Sequence, residues 1–177
     1  VVFDSNVSEV SRNSITVGED YKYASEAKII TLANGDFGVI YEASYAQSSS
    51  VHHSEVHYVR LNAAGEIKNG PVVVSENVAH HQTEPSLTQL SNGDIVVTWN
   101  SYDDTQGLMQ RTIKGNGSPK GGSESLPDSP SLSDADADGR FSPVVESLSD
   151  GGYVITWYSK VQFFGTEHQD NIYHVFS

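Results

Sequence analysis

Three ungapped segments of this 177-residue chain recur at one fixed interval, and that interval constrains the fold more than any single motif. They are Ala27 to Tyr41, Pro85 to Trp99 and Pro143 to Trp157. Each carries a Leu (Leu32, Leu90, Leu148), then Asn-Gly or Asp-Gly, then a run closing on an aromatic residue. Gly35, Gly93 and Gly151 are separated by 58 residues and again by 58. Two identical spacings, with Leu, Gly and an aromatic in register, are not a chance pattern.

Each segment reads as a β-hairpin. Asn, Asp and Gly tolerate the positive φ of a two-residue type I′ turn, which is the turn this pattern predicts. Runs such as Ile95 to Trp99 are β-branched and aromatic, as strands prefer. No strong helical period occurs anywhere, so the chain is expected to be all-β. A third strand follows in each unit, at Glu55 to Leu61, Leu108 to Ile113 and Asn171 to Phe176. A fourth is expected at Pro71 to Ser75 and, less clearly, at Glu124 to Leu126. Four antiparallel strands, here a to d, in a tandem unit of about 58 residues point to the blades of a β-propeller. A β-trefoil has a shorter repeat, and a sandwich does not account for the fixed period.

The ends are out of phase with the unit. Val1 to Asn6 reads as strand c and Ser14 to Gly18 as strand d, whereas the chain closes on strand c. The expected organisation is a partial blade over 1–20, a blade over 21–80, a second blade with an acidic linker over 81–139, and a partial third over 140–177. About three blades are fewer than the roughly four to eight of ordinary propellers. The chain therefore reads as an excerpt of a longer array. The alternative is a homo-oligomer in which copies complete one ring. It opens without an initiating Met or a secretory leader, which suits a processed or excised piece.

Composition narrows the partners. The formal net charge is -13, with 10 Lys and Arg against 23 Asp and Glu, so a nucleic-acid backbone is not the expected ligand. There is no Cys, which excludes disulfides and thiolate metal sites. No apolar run reaches the ~20 residues of a membrane helix.

The segments Pro143 to Trp157 and Trp99 to Arg111 resemble the tandem repeats of large secreted bacterial RTX-type proteins and adhesins. Those repeats combine Pro, Leu, Asp-Gly-Gly, Val-Val-Thr-Trp, an acidic Gly-rich loop and Gln-Arg. The resemblance covers nearly the whole chain. The first unit departs from it, with Ala27 for Pro, Tyr41 for Trp and a His-rich loop between strands b and c. It implies a secreted or cell-surface location and a calcium-dependent module.

Among chemical motifs, Asp134-Ala135-Asp136-Ala137-Asp138-Gly139 is the sharpest. Carboxylates at alternate positions before a Gly bend supply hard oxygen ligands for Ca²⁺. The carbonyl of Arg140 and the hydroxyl of Ser142 sit where they could complete the set. The bidentate Glu of an EF-hand is missing, since Val145 holds that position. The competing reading is a solvated linker. Leu61 to Ile113 spans 52 residues but Ile113 to Phe176 spans 63, so this linker is longer than its counterpart. His52, His53 and His57 read as surface polar residues without a partner carboxylate at a set spacing. Tyr41, Trp99 and Trp157 recur, so they are expected to pack between units. The loop residues Tyr102, Asp103 and Asp104 join an aromatic face to carboxylates, a combination that suits sugar hydroxyls. Phe163 and Phe164 form an apolar loop pair that can cap the core or make a contact.

Hydrolase signatures are absent. Ser149-Asp150-Gly151-Gly152 reaches Thr156-Trp157 too late for an Asp-box, and no nucleophile elbow appears. Glu26 and Glu84 are repeat equivalents, which points to a structural role. The expected function is non-catalytic adhesion or binding of carbohydrate or a protein partner, with structural calcium. The alternatives are a propeller of a glycan-cleaving enzyme and a purely structural spacer.

Overall fold

The computed structural model describes residues 2–3, 5–6, 9–16, 21–45, 53–76, 81–102, 107–126, 142–162 and 168–176. Among them there is no helix, and so none long and apolar enough to cross a membrane. Thirteen strands among the described residues form antiparallel sheets in chain order. A two-stranded ribbon pairs β1 (Val2–Phe3) with β2 (Glu9–Ser11). Sheet 1 holds β3 (Tyr21–Thr31), β4 (Phe37–Tyr45), β5 (Ser54–Leu61) and β6 (Ile67–Val73). Sheet 2 holds β7 (Gln82–Gln89), β8 (Ile95–Ser101), β9 (Gly107–Ile113) and β10 (Pro119–Ser125). Sheet 3 holds β11 (Val144–Ser147), β12 (Tyr153–Gln162) and β13 (His168–Phe176).

The hairpin turns differ from the expected type I′. In the first, Gly35 N donates to Leu32 O at 2.9 Å and Leu32 N to Asp36 O at 2.8 Å. Gly35 lies at φ +83°, while Asn34 is not among the residues at positive φ. The turn therefore has three residues, with one left-handed glycine after an ordinary turn. Leu90 to Asp94 repeats it, with Gly93 at φ +88°. The Asn has another job: Asn92 Oδ1 accepts from Asp94 N at 2.9 Å, tying the side chain to its own turn.

Other boundaries shift too. Strand d starts directly after its turn, at Ile67 and Pro119, earlier than the β-rich runs suggested. Near the N-terminus the extra strand is β2, and residues 12–16 form no strand. Ile15 instead packs beside Val39, Tyr41, Ala43 and Val59 of sheet 1, and Asn13 Nδ2 donates to Gly65 O at 3.0 Å. The segment is held by side chains and not by a ladder.

Strand alternation builds the core. Ile40, Val56, Tyr58 and Val74 of sheet 1 meet Leu87, Ile95, Val97, Trp99 and Ile113 of sheet 2. Val96, Leu108 and Leu126 on the other side of sheet 2 meet Val145, Ile155 and Trp157 of sheet 3. Strands a contact one another in sequence, β3 with β7 and β7 with β11. Trp99 and Trp157 are buried at these two seams, as their recurrence predicts. Trp99 Nε1 donates to Gln82 Oε1 at 2.7 Å, so burial leaves no orphan donor. Polar latches close the first seam at its rim. Arg60 bridges Asp36, at 2.7 Å, to the carbonyl of Gly115 in sheet 2, at 2.6 Å. The Asn34 amide, opposed by burial and aided by Arg60 and Lys68, brings the Asp36 carboxyl down to about 2. Arg111 of sheet 2 reaches Val74 O and Glu76, each at 2.8 Å.

Truncating Trp99 to Ala should cost about 3–5 kcal/mol, since it leaves both a cavity and an unpaired Gln82 oxygen. Denaturant unfolding of the variant against the parent measures this. A loss below about 1 kcal/mol would show that the seam is not what holds these sheets together.

Candidate functional site

The strands a of sheets 1 and 2 each carry a β-bulge. Ser25 pairs with Glu42 and Lys28 with Ile40, so two residues on β3, Glu26 and Ala27, oppose one on β4, Tyr41. The same step recurs between Thr83 and Ser86 on β7. Glu26 and Glu84 sit in these bulges at φ +50° and +53°, and Ser142 precedes β11 at φ +35°. These are 58 residues apart. Left-handed backbone costs a residue with a side chain about 1–2 kcal/mol, and a bulge re-aims the side chain it carries.

At Glu84 the re-aimed carboxylate joins two sheets. One oxygen accepts from Asn100 Nδ2 at 2.7 Å, from Ser142 N at 2.9 Å and from Ser142 Oγ at 3.0 Å. The repeat position of Asn100 is occupied by Glu42 in sheet 1. The first unit therefore sets a second carboxyl beside the bulge, where the second unit has an amide donor. Burial raises the Glu42 carboxyl above the usual range. Ser54 and Ser44 act against this, and the charges of Glu26 and Glu84 add to it.

A cavity of about 400 Å³ opens here, lined by Glu26, Glu42, His81, Thr83, Glu84 and Tyr102. Tyr102 is 37% exposed. The floor is tied down: Ser54 Oγ accepts from Gln82 N at 3.1 Å, and Tyr102 N donates to His81 O at 2.9 Å. Among the described residues, no three His, Asp or Glu side chains converge as a metal ion requires. The cavity offers hydroxyl acceptors and one aromatic ring.

A second polar cluster lies at the same end of sheet 1. Glu55, 2% exposed, accepts from Tyr21 Oη at 2.5 Å and from Tyr45 Oη at 2.7 Å, and its carboxylate lies 3.0 Å from His57 Nε2. Burial alone would raise this carboxyl, but the two hydroxyls and the imidazole outweigh it and hold it low. His57 Nδ1 is buried without a partner. The surface reading of His57 is thus overturned: it is buried and paired. The signal was available, because Glu-x-His on a strand places both side chains on one face.

Of the residues singled out in the sequence, Tyr102 lines the cavity and Ser142 caps Glu84. Asp103, Asp104, Phe163, Phe164, Asp134, Asp136, Asp138, Arg140 and His52 lie outside the described residues. The sequence assigns Glu26 and Glu84 a structural role. The structure gives Glu84 that role and also sets both in the cavity wall. Nothing in a single sequence shows that a bulge turns them there.

No family model and no curated protein matches the chain. Among solved structures it is similar to a protein of unknown function from Dyadobacter fermentans, with 14% identity, 90% of this chain and 52% of that one covered, and a TM-score of 0.57. It is also similar to a thermostable family-43 glycoside hydrolase, with 12% identity, 84% and 53% covered, and a TM-score of 0.51. A third is an endo-arabinase from Bacteroides thetaiotaomicron, with 13% identity, 91% and 58% covered, and a TM-score of 0.50. At these identities the likeness is one of fold. The chain spans little more than half the length of each.

The raised Glu42 carboxyl has a thermodynamic consequence. Its proton is held more tightly in the folded chain, so its contribution to stability is full below the unfolded carboxyl value and is lost as pH rises through the folded one. Glu42→Gln should therefore raise the thermal midpoint by a few degrees at neutral pH, with the gain shrinking in acid. Scanning calorimetry at several pH values checks this; a gain independent of pH contradicts it.

Proposed function

We propose that the three sheets are blades of a propeller-type array, and that the chain is a non-catalytic carbohydrate-binding module of a secreted or cell-surface bacterial protein. One observation carries the reading: exposed Tyr102 lines the same cavity as Glu26, Glu42 and Glu84. An aromatic ring packs on the C–H face of a sugar while carboxylates accept its hydroxyl protons. A formal charge of -13 with three carboxylates in the wall disfavours anionic glycans, so neutral sugars are the expected class. A protein partner for the same surface is the variant of this reading that glycan binding would exclude.

A second reading has its own support. Glu42 is raised, while Glu84 is held by three donors in the same cavity. Carboxyls in unlike environments are what acid–base cleavage of glycosides requires. Two of the similar solved structures are a glycoside hydrolase and an endo-arabinase. On this reading Glu42 would be the proton donor.

Calcium is the proposed structural ion of the Asp134, Asp136 and Asp138 loop, with the Arg140 carbonyl and Ser142. The Ser142 hydroxyl gives its proton to Glu84 at 3.0 Å, which leaves the oxygen lone pairs for a cation. Millimolar Ca²⁺ should raise the melting midpoint. A melting curve that ignores the ion removes calcium from the proposal.

For the cavity, Tyr102→Ala should weaken binding of a neutral oligosaccharide about 10-fold, and Tyr102→Phe should retain most of it. Glycan-array screening followed by titration calorimetry provides the measurement. Turnover of chromogenic glycosides that Glu42→Gln abolishes would replace the binding reading with the catalytic one. Neither binding nor turnover would leave a structural spacer.

A further inference from the structure

We propose that Tyr23 is a second sugar-stacking platform beside the cavity, so that the ligand is a chain of linked neutral sugars running from Tyr102 on sheet 2 to Tyr23 on sheet 1. The inference rests on the carbohydrate reading of the cavity and names the form its ligand takes.

The repeat locates Tyr23. It stands 58 residues before His81, and Ser44 stands 58 before Tyr102. In sheet 1 Tyr23 pairs with Ser44. In sheet 2 Tyr102 N donates to His81 O at 2.9 Å. The two sheets thus present the same rung at the same end, and each rung carries an exposed aromatic ring. Tyr23 is 61% exposed and Tyr102 37%. The ring is on strand a in sheet 1 and on strand b in sheet 2. His81 and Tyr102 both line the cavity, so this rung is the level at which the cavity opens.

The side of the sheet agrees. Residues directly opposite in an antiparallel pair share a face. Tyr23 with Ser44, and Ser25 with Glu42, are successive pairs on one face of sheet 1. Ser44 Oγ lies 3.5 Å from Glu42 Oε1. Val56, directly opposite Glu42 on β5, packs in the core shared with sheet 2. The face is therefore the one turned to sheet 2, whose cover lies within this chain. A rise of about 3.3 Å per residue puts Tyr23 roughly 7 Å along the strand from Ser25.

The chemistry fits linked sugars better than one sugar. A single exposed ring on a surface is ordinary. Here two rings border one cavity whose wall carries Glu26, Glu42 and Glu84. Those carboxylates accept hydroxyl protons, but the oxygens that join one sugar to the next carry no proton and need a donor. Lys22 supplies one: its Nζ lies 5.5 Å from the centroid of the Tyr23 ring, a cation–π contact that also steadies the ring. Facing sheets pack about 10 Å apart. One pyranose does not lie on both rings, whereas consecutive units of a chain do.

The test is titration calorimetry of the full chain with cello-, xylo- and arabino-oligosaccharides, each series taken from monosaccharide to hexasaccharide. In the series that binds, affinity of the parent should climb with chain length and then level off. Tyr23→Ala should lose about 10-fold on the longer members and nothing on the monosaccharide, and Tyr23→Phe should retain the parent profile. Tyr23 is exposed, and equal melting midpoints of the three proteins confirm that the fold is intact. A parent that binds the monosaccharide as tightly as the hexasaccharide overturns the inference and leaves the carbohydrate reading standing. So does a Tyr23→Ala variant that binds the longer chains as the parent does. A parent that binds no member of any series overturns both.

Discussion

The structure depends on one recurring act of burial. A twisted antiparallel sheet of four strands cannot cover both of its faces, so each unit lays an apolar strip on the sheet before it. Leu87, Val97 and Trp99 do this for sheet 2, and Val145, Ile155 and Trp157 for sheet 3. Each fully buried side chain of this size contributes about 1.5–3 kcal/mol, and the strips are repeated. The turns, the latches through Arg60 and Arg111 and the carboxylate bridge of Glu84 are all arranged around these seams.

The bulges on strands a convert the scaffold into sites. The same left-handed position carries Glu26, Glu84 and Ser142, and three roles result. Glu84 binds the next sheet, Ser142 donates to it, and Glu26 lines the cavity. The backbone strain is common to the three, while the chemistry depends on the neighbours. Asn100 satisfies Glu84, but Glu42 at the matching position opposes Glu26. The first unit is the one that departs from the repeat, and its departures supply the unusual polar groups. Tyr21, Tyr45, Glu55 and His57 have no counterparts in the other two units.

Local features were legible to the extent that they follow from local chemistry. Gly35 and Gly93 mark the hairpins, and period-two alternation sets which strand residues face the seams. The turn type departs from the type I′ expectation because Asn-Gly satisfies two geometries. The choice between them lies in the pairing of flanking strands, as the Leu32–Asp36 bond shows. The strand expected at Ser14 to Gly18 is absent over its described residues, 14–16, for a similar reason. A β-rich run looks alike whether it joins a ladder or seats one side chain, Ile15, on a neighbouring sheet. The cavity was half legible. Tyr102 stood out as a loop aromatic, whereas Glu42 is an ordinary strand residue until Glu26 and Glu84 are brought beside it.

By itself the sequence determined the β character of the described residues, the 58-residue unit, the four strands of sheets 1 and 2, and the aromatic that each unit buries. These depend on side-chain period and turn chemistry, which act over a few residues. Tertiary structure alone decided which carboxylates share a wall and which of three equivalent residues stays exposed. Those outcomes depend on groups about 58 residues apart meeting across a seam. Ile29 and Leu87 hold the same place in the unit, and only the presence of a preceding sheet separates 61% exposure from 5%.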